Sequence, residues 1–253
     1  MDMKICVLMC GRPNPDMDPA LPTYSELLTG MFHRADPEGR IRLIEMAVID
    51  GAFPAKLNNF DGYLITGSPS SVYDPADWIY RLLNLVRDVY EVRLPLVGIC
   101  FGHQAIAQAL GGHVACSEKG WGVGIRRSFL LGTESWMDSD AKYCDLIYSH
   151  RDQVMSLPAG ARLLMSDDFC PNAAFCMGER LFALQGHPEF TRAFALGLLE
   201  MRYNSIGREI VEPARKSLEG DHDGDRVGKW LVDFFLAGRL PMDPSGSRAK
   251  IFP

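Results

Sequence analysis

The stretch Pro95-Leu-Val-Gly98-Ile-Cys100-Phe-Gly102-His-Gln104 decides how this chain folds. An apolar run ends there in a Gly-x-Cys-x-Gly turn, and a helix-like pattern follows at once. Two glycines let the backbone turn sharply, so that the side chain between them is presented at the end of the strand. The N-terminus of the following helix favours an anion and stabilises a thiolate placed there. The stretch therefore predicts a strand, a nucleophile elbow and a helix, with Cys100 as the nucleophile of acyl chemistry.

Strand-like and helix-like patterns alternate from the N-terminus to this elbow. Thr23 and Glu26 have the spacing of a capping box, which marks the start of the first helix. Such alternation predicts an α/β fold with a mostly parallel central sheet and helices on both faces. Before the elbow, the predicted strands are 4–9, 40–49 and 63–65, and the predicted helices are 24–33 and 77–93.

The pattern changes after the elbow helix, where the helical crossovers disappear. Short strands separated by turns predict an antiparallel extension of the sheet, over 113–116, 120–131, 146–149, 162–166, 173–177 and 181–185. From Thr191 onward helical spacing returns, with a second helix near 206–218 and a last one that ends near Gly238. We therefore divide the chain into an α/β domain, 1–195, and a C-terminal helical extension packed on it, 196–253. The Pro, Gly and Ser of 241–253 predict a poorly ordered tail.

Composition limits the classes of partner. The 253 residues carry a net charge of −6 and the 26 basic residues are scattered, which argues against a nucleic-acid groove or an anionic membrane surface. No apolar run reaches the length of a membrane span, and the N-terminus lacks the pattern of a signal peptide. We therefore expect a cytoplasmic protein that binds neither nucleic acid nor membrane.

The cysteines indicate neither a disulfide framework nor a metal centre. There are seven, an odd number, and no Cys-x-x-Cys pair occurs. A secreted disulfide framework would be even and denser, and a zinc site would show paired ligands. No two of the six histidines have ligand spacing on one element. We therefore expect reduced thiols, no metal site and no cofactor.

A cysteine nucleophile needs a base within hydrogen-bond reach, and the base needs an acceptor that orients it. His187 follows the last predicted strand, and Glu189 lies two residues further on, where a carboxylate can hold the imidazole and stabilise its charged form. Taken alone, the elbow is compatible with a tight turn around a packed thiol, and His-Pro-Glu is a weaker signal still. Because ligands of such folds bind at the shared edge of parallel strands, the joint occurrence predicts a Cys100–His187–Glu189 triad.

The tetrahedral oxyanion of acyl transfer also needs N–H donors. The amide of Phe101 directly follows the nucleophile and opens the helix, so it is the first candidate. The second is Gly67, in Thr66-Gly-Ser-Pro-Ser70, because a glycine can turn its N–H inward without steric penalty. An ordinary β-turn is the alternative interpretation of that segment.

Four motifs in one order give the chain a family resemblance. The stretches 98–104 and 186–189, with 66–69 before the long helix and 149–154 between, closely resemble the class I glutamine amidotransferases over roughly residues 4–195. The resemblance implies a flavodoxin-like glutaminase domain, here residues 1–195, in which Cys100 forms a γ-glutamyl thioester. It also implies that Gln104 and the backbone of Ser149 and His150 hold the amino-acid end of the substrate.

The resemblance is strongest to a stand-alone branch similar to the glutaminase part of GMP synthase, which also includes γ-glutamyl peptidases. Glutamine is therefore the first expected substrate, and a γ-glutamyl peptide of the glutathione type is the alternative. Both need the same triad, so loops around 12–22, 70–78 and 120–124, which should wall the pocket, must discriminate between them.

Two further alternatives concern what the chain does with its thiol. No synthetase-like signature follows residue 190, so either a separate subunit receives the ammonia or water is the only acceptor. A catalytically silent or redox-sensing binding protein on the same sheet is the alternative from a different class, because an exposed reactive thiol also oxidises readily.

Overall fold

The computed structural model describes residues 2–138 and 141–238. Eleven β-strands run through these residues and supply the buried core together with the helices. They are β1 (Met3–Leu8), β2 (Ile41–Met46), β3 (Gly62–Ile65), β4 (Leu96–Ile99), β5 (His113–Cys116), β6 (Gly122–Leu130), β7 (Tyr143–His150), β8 (Asp152–Ser156), β9 (Arg162–Ser166), β10 (Ala174–Met177) and β11 (Leu181–Leu184).

Nine of the strands form one sheet in the order β2-β1-β3-β4-β11-β10-β9-β6-β7. The first five pair in parallel, and the remaining four extend the sheet through antiparallel pairs. The predicted mostly parallel α/β sheet with an antiparallel extension is therefore confirmed. Because β3, β4 and β11 are parallel neighbours, the segments that follow them meet at one edge of the sheet.

A second sheet pairs β5 with β8 in antiparallel fashion. Here the sequence interpretation was wrong in one respect, since it placed β5 in the extension of the large sheet and did not predict β8. The reason is that β8 begins with Asp152 and Gln153, polar side chains that are nevertheless buried. The chain enters β8 directly after His150, so the small sheet lies beside the predicted site.

Helices cover both faces of the large sheet. β1 shows the division, because Ile5 and Val7 belong to one buried cluster and Cys6 and Leu8 to another, as alternation along a strand requires. The helices are α1 (Tyr24–Ala35), α2 (Asp77–Glu91), α3 (Phe101–Ala109), α4 (Arg192–Met201), α5 (Tyr203–Ile206), α6 (Arg208–Ser217) and α7 (Gly224–Ala237). The first cluster includes side chains of α1 and α7, and the second includes side chains of α2 and α3.

The predicted capping box at the start of α1 is confirmed. The backbone N–H of Thr23 donates to Oε2 of Glu26 at 2.7 Å, and the N–H of Glu26 donates to Oγ1 of Thr23 at 3.3 Å. Two backbone donors that a helix start leaves without partners are thereby satisfied. The cap fixes Tyr24 as the first residue of the helix.

The C-terminal helices pack in two places. Side chains of α4, α5 and α6 form a third buried cluster with β6 and β7, and α7 lies beside α1. The predicted helix near 206–218 corresponds to α6, and Gly207, with a φ of 91° that few other residues tolerate, separates it from the short α5. The division of the chain at residue 195 stays a prediction, and the predicted tail 241–253 lies outside the described residues. Among the described residues, no helix has both the length and the apolar character needed to cross a membrane.

Candidate active site

Cys100 lies between β4 and α3 with φ 54° and ψ −101°. A positive φ on a residue other than glycine costs about 1–3 kcal/mol and is characteristic of functional sites. The flanking glycines make the turn sterically feasible. A Cβ on Gly98 would lie 2.5 Å from the carbonyl group of Gly102, and one on Gly102 would overlap the carbonyl oxygen of Ile65. The elbow therefore exists as the sequence predicts, and it places Cys100 at the end of β4.

His187 and Glu189 follow β11, the strand that pairs directly with β4. Nδ1 of His187 lies 2.7 Å from Oε1 of Glu189, and both side chains are buried. The backbone N–H of His187 donates to the carbonyl oxygen of Ile147 at 2.8 Å, and the imidazole stacks on Phe190 with 3.8 Å between ring centroids. The ring of His187 is thus held by Glu189 and Phe190, and its backbone by the hydrogen bond to Ile147.

The charge balance of this cluster favours an imidazolium. Burial alone would lower the pKa of His187, but the negative charges of Cys100 and Glu189, with hydrogen bonds to both, raise that pKa to about 10. A thiolate and an imidazolium side by side form the ion pair that activates a cysteine nucleophile. The structure therefore brings the three residues of the predicted triad together.

Tyr24 joins this cluster, although the sequence interpretation treated it only as a helix start. Its hydroxyl donates to Oε1 of Glu189 at 2.5 Å and accepts from the N–H of Gly67 at 3.3 Å. Burial and the adjacent charge of Glu189 raise the pKa of Tyr24 well above its usual value, so the hydroxyl stays protonated. No sequence signal pointed to this role, because Tyr24 and Glu189 are 165 positions apart.

The two predicted oxyanion donors differ in their surroundings. Phe101 is the first residue of α3, and the N–H groups of a first helical turn have no acceptor within the helix. Gly67 lies close to the triad, since a Cβ added to it would be 3.1 Å from Cε1 of His187 and 3.8 Å from Cβ of Cys100. The N–H of Gly67 is not free, however, because it donates to the hydroxyl of Tyr24. The next residue, Ser68, lines the cavity in front of Cys100.

That cavity has a volume of about 230 Å³. The lining comes from the segment after β3, from the elbow and its helix, and from the end of β7 with the start of β8. Trp121, just before β6, and Arg202, between α4 and α5, complete it. The lining residues are Ser68, Pro69, Ser70, Ser71, Cys100, Gln104, Trp121, Ser149, His150, Arg151, Asp152 and Arg202. All three substrate contacts that the family resemblance implies are among them.

The predicted pocket walls are present in part. Segments 70–78 and 120–124 contribute to the lining, but none of residues 12–22, all of which the structure describes, does so. That loop runs over the C-terminal helices instead: the side-chain amide of Asn14 contacts the sulfur of Met201, and Met17 packs on the cluster of α4 and α6. Its four prolines predicted a loop correctly but not its position.

Gln104 connects the elbow helix to the small sheet. Its Nε2 donates to the backbone oxygen of Asp152 at 2.8 Å and to Oε1 of Gln185 at 3.0 Å. Its side chain is therefore buried and fixed rather than free on a helix surface. This contact positions the start of β8 against the nucleophile.

His150 is a buried neutral residue. Burial, followed by the charges of His187, Arg126 and His103, lowers the pKa of His150 to about 3. A group with so low a pKa does not take up a proton near neutral pH. Of the two histidines near Cys100, His187 is therefore the one that can carry a proton.

Asp152 and Arg202, two of the three charged residues that line the cavity, were not predicted as site residues. The carboxylate of Asp152 accepts from the hydroxyl groups of Ser71 and Tyr73. Arg202, which lies between α4 and α5, donates from Nη1 to Oγ of Ser149 at 2.8 Å. Neither could be read from sequence spacing, since these contacts join residues 53 to 81 positions apart.

All seven cysteines are free thiols, and six of them are buried. Within the described residues, no group of three or more His, Cys, Asp or Glu side chains has the arrangement of a metal site.

Sequence comparisons match the chain to named proteins. Residues 42–194 match the family described as Glutamine amidotransferase class-I. The chain is 32% identical to γ-glutamyl peptidase 3 of Arabidopsis thaliana over 202 residues, which cover 76% of this chain and 81% of that protein. It is 35% identical to the glutamine-hydrolysing GMP synthase of Azoarcus sp. over 138 residues, covering 51% of this chain and 26% of that protein.

Solved structures agree on the fold. A glutamine amidotransferase from Thermotoga maritima superposes with a TM-score of 0.71 at 16% identity, covering 93% of this chain and 97% of the other. One from Methylobacillus flagellatus gives 0.69 at 19% identity, covering 94% and 95%. The family match extends over more than half of the sequence and includes the elbow, His187 and Glu189. The chain therefore belongs to the class I glutamine amidotransferase family.

Proposed function

We propose that this protein hydrolyses γ-glutamyl amide bonds through a γ-glutamyl thioester on Cys100, with glutamine as the first substrate. The observation that carries the proposal is the buried His187, which contacts Glu189 on one side and Cys100 on the other. That arrangement supplies a nucleophile, a proton carrier and a group that orients the proton carrier. Membership in a family of glutamine amidotransferases supports the same chemistry.

The first half-reaction forms the thioester. The Cys100 thiolate attacks the γ-carbonyl carbon, a C–S bond forms, and the carbonyl oxygen becomes an oxyanion. When the oxyanion collapses, the C–N bond breaks and the His187 imidazolium donates its proton to the departing nitrogen. Ammonia leaves from glutamine, or an amine from a γ-glutamyl peptide.

The second half-reaction releases glutamate. Neutral His187 accepts a proton from water as the water oxygen attacks the thioester carbon. A second oxyanion collapses, the C–S bond breaks, and Cys100 returns as a thiolate beside protonated His187. Glu189 and Tyr24 stabilise the imidazolium throughout, because a carboxylate that accepts two hydrogen bonds stays in place opposite Nδ1.

The oxyanion needs two donors at the same point. We assign one to the N–H of Phe101, which opens α3 next to the nucleophile. The second comes from the turn after β3, where Gly67 is the predicted donor. For Gly67 to serve, its N–H must exchange the hydroxyl of Tyr24 for the oxyanion.

Substrate contacts are assigned to the opposite side of the cavity. We propose that Gln104 and the backbone of Ser149 and His150 hold the amino-acid end of the glutamyl group. All three line the cavity that contains Cys100, and the side chain of Gln104 is already fixed by two hydrogen bonds. A rigid contact surface reduces the entropic cost of binding.

A γ-glutamyl peptide is the second candidate substrate, and the relatives give a specific reason for it. The similarity to γ-glutamyl peptidase 3 extends over 81% of that protein, compared with 26% of the GMP synthase. The cavity also has exposed residues, Pro69 and Arg151, at its rim, which leaves room for a leaving group larger than ammonia.

The test is covalent labelling followed by product analysis. A γ-glutamyl chloroketone should add to Cys100, and Cys100→Ser should lose both the adduct and at least about 10⁴-fold of the turnover rate. Cys116→Ser removes the exposed thiol and should behave like the wild type. An adduct on a thiol other than Cys100, or turnover by Cys100→Ser, would contradict the mechanism and favour a silent or redox-sensing protein.

Product analysis then separates the substrates. Ammonia released from glutamine is compared with cysteinylglycine released from glutathione at equal substrate concentrations. A separate ammonia-accepting subunit is the alternative to water as acceptor. That alternative predicts rapid labelling of Cys100 together with slow glutamine turnover by the isolated chain.

A further inference from the structure

Of the two arginines that line the cavity, Arg151 is exposed at its rim, and the half-buried one that the proposed mechanism does not use is Arg202. It lies between α4 and α5, beyond the residues that match the family, yet its side chain lines the same cavity as Cys100. The side chain is half-buried, and Nη1 donates to Oγ of Ser149 at 2.8 Å. The guanidinium also lies over the ring of Trp121, 5.5 Å from its centroid. Two contacts therefore hold the arginine head group in the cavity wall.

Arg202 lacks a carboxylate partner, in contrast to several of the arginines of this protein. Arg126, Arg127 and Arg215, for example, each form an ion pair with an Asp or Glu side chain. Within residues 2–138 and 141–238, no carboxylate forms an ion pair with Arg202. Burial lowers the pKa of Arg202 and the negative charge of Cys100 opposes that effect, so a bound carboxylate would add a direct anionic partner to a half-buried cation. The five N–H donors of the planar guanidinium can bind a carboxylate, the anionic group of an unmodified peptide, through two parallel hydrogen bonds.

The nearest acidic side chain of the cavity does not serve as that partner. Asp152 lines the same cavity, but its carboxylate oxygens accept from Ser71 and Tyr73. Ser149, by contrast, directs the guanidinium of Arg202 through a single hydrogen bond and leaves other N–H groups of the fork for a ligand. The wall thus has an acid whose oxygens already accept hydrogen bonds beside a base with no carboxylate partner.

We propose that Arg202 binds a carboxylate of the substrate and that Ser149 and Trp121 hold its guanidinium in position. The inference rests on the proposed γ-glutamyl hydrolysis, since that chemistry supplies the carboxylate. A γ-glutamyl peptide carries two carboxylate groups that Arg202 can bind. One is the α-carboxylate of the glutamyl group, present in every substrate, and the other is the C-terminal carboxylate of a departing peptide.

The first experiment does not depend on turnover. Cys100 is labelled with a γ-glutamyl chloroketone and, separately, with the α-methyl ester of the same reagent. If Arg202 binds the α-carboxylate, the wild type labels faster with the free acid, and Arg202→Gln loses about 10- to 100-fold of that preference, as expected for a charge-assisted hydrogen bond. Absence of any Cys100 adduct in the wild type would defeat the proposed function itself, which is a different result from an unchanged preference.

The second experiment tests the other carboxylate. Hydrolysis of glutathione is compared with hydrolysis of its glycine ethyl ester, in wild type and in Arg202→Gln. If Arg202 binds the leaving peptide, the variant raises KM for glutathione but not for the ester, and the labelling preference for the free-acid chloroketone persists. If neither preference changes, Arg202 does not bind substrate and the inference is wrong.

Two variants separate binding from folding. Arg202→Lys keeps the charge but lacks the planar fork, so it should recover part of the preference. Arg215→Gln removes the same charge from α6, where Arg215 pairs with Glu200 away from the cavity. It should change neither the ratio of labelling rates for the free acid and the ester nor the ratio of KM values for glutathione and its ester. A purely structural role for Arg202 would lower both reagents' labelling rates equally.

Discussion

The two sides of the cavity are built in different ways. The proposed catalytic side, hereafter the catalytic side, consists of Cys100, His187 and Glu189 and comes from the ends of two neighbouring parallel strands, β4 and β11. The facing wall, which includes Ser149 and Arg202, comes from the antiparallel half of the sheet and from the C-terminal helices. Short sequence motifs specify the first side, whereas packing between distant segments assembles the second.

This difference separates chemistry from recognition. On the catalytic side, steric rules leave little freedom, because side chains on Gly98 or Gly102 would collide with neighbouring backbone. On the facing wall, exposed or half-buried side chains such as Trp121 and Arg151 surround the cavity and can change without disturbing the elbow. We therefore expect substitutions on the catalytic side to change kcat and the pH profile, and substitutions on the wall to change KM.

Of the substitutions Glu189→Gln, Tyr24→Phe and Tyr73→Phe, the first should have the largest effect. The charge of Glu189 contributes to raising the pKa of His187 to about 10, so its loss lowers that pKa. We expect kcat to fall about 100-fold, or about 2.7 kcal/mol of transition-state stabilisation, with little change in KM. Since protonated His187 is lost as pH rises through its pKa, the alkaline limb of the pH–rate profile should move to lower pH.

Glu118→Gln is the matched control for this substitution, because Glu118 is an exposed carboxylate before β6. It should leave both kcat and the alkaline limb unchanged. An unshifted limb in Glu189→Gln, with kcat near the wild-type value, would show that Glu189 does not orient His187.

The same contrast explains what could be predicted from the sequence. The elbow and the strand–His–x–Glu segment are local patterns, so Cys100, His187 and Glu189 could be identified without knowledge of the fold. Parallel pairing then requires their strands to end at one edge. The alternation of strands and helices before the elbow is equally local, and that part of the fold was predicted correctly.

What could not be predicted depends on contacts between distant segments. β8 was missed because its polar residues, Asp152 and Gln153, are buried by the contact with β5 and the elbow helix. Tyr24 had the sequence signature of a helix start, and only the packing of α1 beneath the turn after β3 brings its hydroxyl to Glu189. Arg202 follows a helix whose spacing indicated packing alone. In each case the partners that fix the side chain are distant in sequence, and the sequence pattern reports only local spacing.

Tyr24→Phe should have the second largest effect. It removes the hydroxyl that donates to Oε1 of Glu189 at 2.5 Å and accepts from the N–H of Gly67. A hydrogen bond to a charged group contributes about 1.5–3 kcal/mol, so we expect kcat to fall at least about 10-fold. The alkaline limb should shift as well, because Glu189 then has greater freedom relative to His187. Stopped assays across pH 6 to 10, in parallel with thermal unfolding, distinguish this effect from general loss of stability. A variant with the wild-type kcat and an unshifted alkaline limb would show that Tyr24 does not contribute to catalysis.

Tyr73→Phe makes the same chemical change on the facing wall and should have the smallest effect. The hydroxyl of Tyr73 donates to Oδ1 of Asp152 at 2.9 Å, but Tyr73 is 50% exposed and Ser71 donates to the other oxygen of the same carboxylate. Because Ser71 still holds Asp152, only a net 0.5–1 kcal/mol should be lost, which corresponds to a roughly 2- to 5-fold rise in KM. Neither kcat nor the alkaline limb should move, since Asp152 makes no contact with His187 or Glu189 in the described hydrogen-bond network. If Tyr73→Phe instead lowered kcat and shifted the limb as Tyr24→Phe does, recognition and chemistry would not be divided between the two sides, and both would depend on one coupled network of hydrogen bonds.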